Sequence, residues 1–305
     1  MSFIRWLKIH ATVTAVGMTI LRVIRWQTTD SLCPRLESQL PHAGTACTPS
    51  LRKASRLIAV RRVVTSRVRL SGGKIPLRIT RQHWNSELKI LIRDGGWWLG
   101  DQLISALADD GHLTIPVPHG IETGHDESTD DLVAGSEALV VFGLTQESGE
   151  PGALIDHSTR QLYNLLHAAS EAGARRCVYV SSLRLFEDYE ENLTVTEKWR
   201  SLPPTEDVPL LACHLGEIVC KEFARDRRIQ VATIRLGFPV VRGDQAAAQA
   251  SGESAAVSGD DAVEAIKRAL TADTLAQWQD IHVQSQVDHQ RYLMHAAGSL
   301  LSFPR

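Results

Sequence analysis

Three glycines, Gly95, Gly96 and Gly100, fall close together directly after the apolar run Lys89–Arg93. Glycines at such spacing let a backbone turn tightly and approach a phosphate, and a helix starting there adds partial positive charge. Asp94 and Trp97 work against this, one by repelling a phosphate and one by adding bulk. A second candidate is Ser181-Ser182, placed after the run Cys177–Val180, where a hydroxyl can orient a substrate oxygen. Cys213 with its neighbour His214 raises the thought of a thiolate nucleophile. Successive helical residues point about 100° apart, which argues against direct pairing. A tyrosine with a lysine one helical turn on, spaced Y-x-x-x-K, is another arrangement that can move a proton. No such pair occurs: Tyr163 meets His167 at that spacing, Tyr179 meets Leu183, and Tyr189 meets Leu193.

These residues need elements to hold them. Lys89–Arg93 and Ala138–Phe142 read as buried parallel strands, being short and nearly all apolar. Leu113–Val117 is a third strand candidate, weakened by Pro116. Cys177–Val180 and Val231–Leu236 complete the set. Helices are expected over Asp101–Asp110, Asp131–Gly135, His157–Ala172, Leu210–Asp226 and Asp260–Leu270. Strands alternating with helices imply an α/β fold, a Rossmann-type doubly wound parallel sheet. Ligands bind such sheets past the C-terminal strand ends, where Gly95–Gly100, Gly143 and Ser181-Ser182 are all placed.

The segment Asn164–Ser182, NLLHAASEAGARRCVYVSS, closely resembles a stretch of the NAD-dependent epimerase/dehydratase branch of the extended short-chain dehydrogenase/reductases. Ile234-Arg235-Leu236-Gly237, Asp261–Ala265 and the tail from Gln290 to Arg305 resemble the same family. The resemblance covers residues 88–305 and implies a small C-terminal substrate-binding portion over 238–305. It implies NAD or NADP held by Gly95, Gly96, Trp98, Leu99, Gly100, Gly143 and Ser181, and a nucleotide-sugar or sugar-acid substrate. The family's loop, T-G-G-x-G-x-x-G, falls on Arg93–Gly100, so Asp94 and Trp97 stand where it has glycines. Of the catalytic set only Ser182 is matched, with Phe186 where an aromatic usually follows. Pro209 and Cys213 stand at the tyrosine and lysine positions. The resemblance thus leaves two functions open: an enzyme of this type, or a non-catalytic relative acting as a nucleotide sensor or protein-interaction scaffold. No acid ends the second strand at Pro116–His119, so NAD and NADP are not distinguished. His112 and His119 read as exposed loop residues. Related enzymes pair through two long helices, which here would be Ile155–Ala172 and Leu210–Arg225, so a homodimer is an expectation by analogy.

At 305 residues and 43% hydrophobic content the chain can bury one large α/β core. The net charge of −2 hides a split. Residues 1–85 hold 15 Lys/Arg against Asp30 and Glu37, a net of +13, and the remainder carries −15. Residues 1–87 therefore read as a separate basic extension, either a disordered or targeting tail or an upstream extension of the true reading frame. Its apolar stretch Ile9–Leu21 is shorter than the roughly 20 residues of a membrane span. The acidic body opposes nucleic acid. Five scattered cysteines without a C-x-x-C pair fit reduced thiols in a cytoplasmic protein and no metal site.

Overall fold

A computed structural model describes residues 87–304 apart from 119, 145–148, 241–244 and 289. The basic stretch and His119 therefore lie outside the described residues. Six parallel strands form one sheet in the order β2-β1-β3-β4-β5-β8. They are β1 (Lys89–Arg93), β2 (Leu113–Pro116), β3 (Ala138–Phe142), β4 (Arg176–Ser182), β5 (Gln230–Leu236) and β8 (Trp278–Val283). A separate parallel pair, β6 (Phe238–Pro239) and β7 (Ala256–Val257), lies between β5 and β8 in the chain.

The strand alternation shows why both faces are covered. Ile90 and Ile92, Val140 and Phe142, and Val178 and Val180 belong to one apolar cluster; Leu91, Leu139, Val141, Cys177 and Tyr179 belong to another. Helices α1 (Trp98–Asp109) and α7 (Gly259–Thr271) pack into the first cluster, through Leu99, Leu103, Leu107 and Ile266 among others. Helices α4 (Leu162–Glu171) and α5 (Val208–Arg225) pack into the second, through Leu165, Leu166, Cys220 and Phe223. Strands with two apolar faces are the mark of a doubly wound sheet.

Three local departures from the expected elements have physical causes. The edge strand β2 is half exposed and ends at Pro116, as a proline without an amide donor requires. The helix expected over His157–Ala172 starts earlier, as α3 (Pro151–Asp156) with Glu150 as its N-cap, and passes through a π-helical turn at His157–Gln161 before α4. The short helix expected over Asp131–Gly135 starts at Glu127 as α2 (Glu127–Val133), because the Asp126 side chain caps it by accepting from the Thr129 N–H. Helix α6 (Gln245–Ala250) completes the described set.

Candidate functional site

The strand register brings the sequence-derived residues to one edge. Arg93 pairs with Val141, Phe142 with Val180, and Ser181 with Arg235. Asp94, Gly143 and Ser181-Ser182 thus follow one another along the C-terminal ends of β1, β3 and β4. The connections from β1 and from β3 leave in opposite directions, which puts the crevice of the sheet between these two strands.

The loop after β1 keeps the form of a phosphate cradle. A Cβ on Gly100 would lie 1.9 Å from the Gly95 carbonyl oxygen, and one on Gly95 would lie 2.8 Å from the Ile92 methyl. Both glycines are needed for helix and strand to approach. A Cβ on Gly96 would meet nothing, so the space above it is open. Trp97 is the N-cap of α1 without a side-chain hydrogen bond, whereas Asp207 caps α5 and Ser258 caps α7. The first amides of α1, on Trp98, Leu99 and Gly100, are left for another acceptor. These groups fit a phosphate-bearing cofactor.

Asp94 has φ of 60°, a left-handed conformation at the position where glycine would be unstrained. Its carboxylate accepts from His157 Nε2 at 2.8 Å and lies 3.5 Å from Arg93 Nε. Arg93 is buried at 2% exposure and donates to the His157 carbonyl at 3.0 Å and to the ring's Nδ1 at 2.9 Å. The carboxylate is therefore held by a histidine and an arginine, and its charge is offset beside the loop. His157 was not visible as a partner in the sequence, since 63 residues separate the two. The Trp97 ring stands edge-on to Phe142 at 5.8 Å, at the end of β3, so the indole borders the crevice.

At the second half of the site, Ser182 Oγ accepts from the Arg184 N–H at 3.2 Å and is 6% exposed. Ser181 Oγ lies 3.4 Å from Cys213 Sγ. Cys213 is fully buried, and burial pushes its thiol up to about 12. It is not a thiolate at neutral pH. Pro209 is the second residue of α5, where its missing N–H has no intrahelical partner to lose. His214 turns away from Cys213: its Nδ1 pairs with Ser201 Oγ at 3.1 Å. Gly143 serves packing as well as the strand end. Its Cβ would lie 2.2 Å from the Tyr179 hydroxyl, and one on Gly216 would lie 2.1 Å from the same atom. Tyr179 threads between the two glycines and donates to the Cys213 carbonyl at 2.8 Å.

Behind Ser181 runs a buried ionic row. Arg235 donates to both oxygens of Glu217 at 3.0 Å and lies 3.2 Å from Asp280. Burial would raise Glu217, but the charge and hydrogen bonds of Arg235 outweigh it and hold the carboxyl below the usual range. Asp280, with a single ionic contact, is raised by burial to about 6. His282, wholly buried beside Phe186 and Tyr292, is lowered by burial and by Arg235 to about 3. His112, expected to be exposed, has its Nδ1 3.3 Å from the Leu88 amide. Among the described residues no group of three or more metal-ligating side chains occurs, and no helix is long and apolar enough to cross a membrane.

No family model and no curated protein matches the chain. Solved structures do. A UDP-N-acetylglucosamine 4-epimerase from Bacillus cereus superposes with a TM-score of 0.55 at 17% identity, over 71% of this chain and 93% of that one. A glucuronic acid dehydrogenase from Chromohalobacter salexigens gives 0.58 at 17%, over 69% and 82%. A short-chain dehydrogenase/reductase superfamily protein from Agrobacterium tumefaciens, solved with bound NAD, gives 0.54 at 17%, over 70% and 92%. At this identity the likeness is one of fold. The described residues carry the fold of the extended short-chain dehydrogenase/reductases, the NAD-dependent epimerases and dehydrogenases among them.

Proposed function

We propose that this chain is a nucleotide-binding Rossmann protein, related to enzymes of nucleotide sugars and sugar acids, that has given up hydride transfer. The observation that carries the reading is Cys213. By the sequence resemblance it falls at the family's lysine position, and it is sealed in the core, where burial pushes its thiol up to about 12. A group so placed can neither hold a ribose nor lower the pKa of a neighbouring acid. Pro209, at the tyrosine position, has no proton to give. Ser182 alone can orient an oxygen, and orientation without an acid–base partner leaves the barrier to proton transfer in place.

The cradle supports binding as the retained half of the function. NAD or NADP would lie with its phosphates on the amides of Gly96, Trp98, Leu99 and Gly100, and with its nicotinamide side toward Gly143 and Ser181. The cofactor brings hydride chemistry when bound. The chain's contribution is limited to holding it and keeping water off Ser182. A second reading, an interaction scaffold without nucleotide, draws on Trp97, whose ring borders the crevice at Phe142.

Calorimetric titration of NAD⁺ and NADP⁺ into the full chain tests the reading. Binding without reduction of the cofactor, on any uronate or nucleotide sugar, is the expected result. Turnover that disappears in Ser182→Ala would overturn it. Absence of binding at millimolar cofactor would favour the scaffold. Asp94→Gly sharpens the test, because it relieves a left-handed aspartate and leaves Arg93 and His157 without their anion beside the loop. Tighter cofactor binding is expected from it.

A further inference from the structure

A second cleft, of about 920 Å³, lies between α5, β8, residues 197–201 and the segment 295–300. It is of the size that takes a small organic molecule. The sheet order separates it from the glycine loop: β5 and β8 lie beyond β3 and β4 from β1. A ligand there does not depend on the cofactor site.

The floor of the cleft is the ionic row of Glu217, Arg235 and Asp280. One guanidinium faces two carboxylates, and both are already in contact with it. The floor therefore offers no free positive charge. Lys221, beside the row, rests its ammonium 3.9 Å from the centroid of the Trp278 ring. The mouth is different. Lys198 and Arg200 join Lys221 there against Glu197, whose Oε1 accepts from the Ala296 amide. Neither Lys198 nor Lys221 has an ion pair among the described residues. On a body that carries −15, a mouth of this sign is a local exception, and it concentrates anions at one place. The half-buried indole of Trp199 lines the same space and offers apolar surface to a ring, whereas the face of Trp278 is taken by Lys221.

We propose that this cleft binds a small ring-bearing organic anion, its ring against Trp199 and its carboxylate or phosphate at Lys198 and Lys221. Apolar walls with a few placed charges are what such sites share. The assignment goes beyond the nucleotide reading and stands or falls separately from it.

Benzoate, phenyl phosphate and neutral benzyl alcohol are the probes, titrated calorimetrically into the full chain. The same titrations are made with Lys198→Ala/Lys221→Ala and with Trp199→Leu. Both lysines are exposed, and a circular dichroism melt of each variant checks that the fold is kept. Saturable binding of at least one anion, weaker by tenfold or more in the lysine variant and in Trp199→Leu, is expected. Whichever anion binds more tightly assigns the head group. No saturable binding of either anion overturns the proposal. Equal binding of benzyl alcohol, or anion binding unchanged in the lysine variant, also overturns it. None of these outcomes depends on whether NAD⁺ binds.

Discussion

His282 and Asp280 share one face of β8 and titrate in opposite senses, which makes their effect on stability predictable in sign. Burial and Arg235 lower His282 to about 3, so the native state refuses a proton that the unfolded chain takes up near pH 6.5. Its contribution is present above about pH 6.5 and is lost as pH falls. Asp280, raised to about 6, does the reverse: the native state takes a proton before the unfolded chain does, and stability is gained as pH falls from about 6 toward 4. The two slopes largely cancel in the native protein. Replacing one exposes the other. His282→Phe keeps a ring against Phe186 and Tyr292 and removes two nitrogens that have no hydrogen-bond partner. Measured by urea unfolding, its stability relative to the native protein should improve by about 2 kcal/mol between pH 7 and about pH 5. A gap that stays constant with pH would show that His282 takes up its proton in the fold at the same pH as in the unfolded chain. Asp280→Asn should move the other way across the same range.

Tyr179 decides how closely α5 can approach the sheet. Its hydroxyl passes between Gly143 and Gly216 to the Cys213 carbonyl, and neither glycine has room for a methyl. Gly216→Ala should cost about 1–3 kcal/mol by overpacking. In Tyr179→Phe the hydroxyl is gone and the ring carbon Cζ, 2.8 Å from a Cβ at Gly216, becomes the nearest atom, so the clash is eased at the loss of about 1 kcal/mol of hydrogen bond. The double variant should then be more stable than the sum of the two losses, a coupling read from a double-mutant cycle by urea unfolding. Strict additivity would mean that the helix shifts as a whole. Much of this architecture was legible in the sequence. The apolar runs of β1, β3, β4 and β5 and the periodicity of α1, α5 and α7 placed the main elements, and the strand ends placed the cradle glycines. The strand β8 was not legible. Its residues WQDIHV carry a partly buried aspartate and a buried histidine at the edge of the sheet, which breaks the apolar run a parallel strand is read from. The π-helical turn was hidden too: it holds the carbonyl of His157, to which Arg93, distant in sequence, donates. Ser182, Cys213 and Pro209 were named from a motif, and Arg235 lies in a segment that carries the resemblance, while the Asp94–His157 pair and the place of Asp280 beside Arg235 had no local signal.

At the scale of the molecule, charge divides the chain more sharply than hydrophobicity does. Residues 1–85 carry +13 and the rest −15. Near the start of the described residues Leu88 is fully buried, its carbonyl accepts from the Leu113 amide at 2.8 Å, and its own amide lies 3.3 Å from His112 Nδ1. A new terminus at Leu88 would put a charged ammonium where this neutral contact is made. A chain beginning at Ser86 avoids that and leaves the sheet, both apolar clusters and both clefts intact. If residues 1–85 are a separate basic segment, this shortened chain should melt within about 2 °C of the full one, since a domain of this size shifts roughly 2–4 °C for each kcal/mol. It should also lose retention on a cation exchanger, because the remaining body is acidic. A melting temperature lower by 5 °C or more would mean that the basic segment supplies part of the core stability. The boundary at 87 would then be wrong, and the segment would have to be counted among the elements that hold the cradle in place.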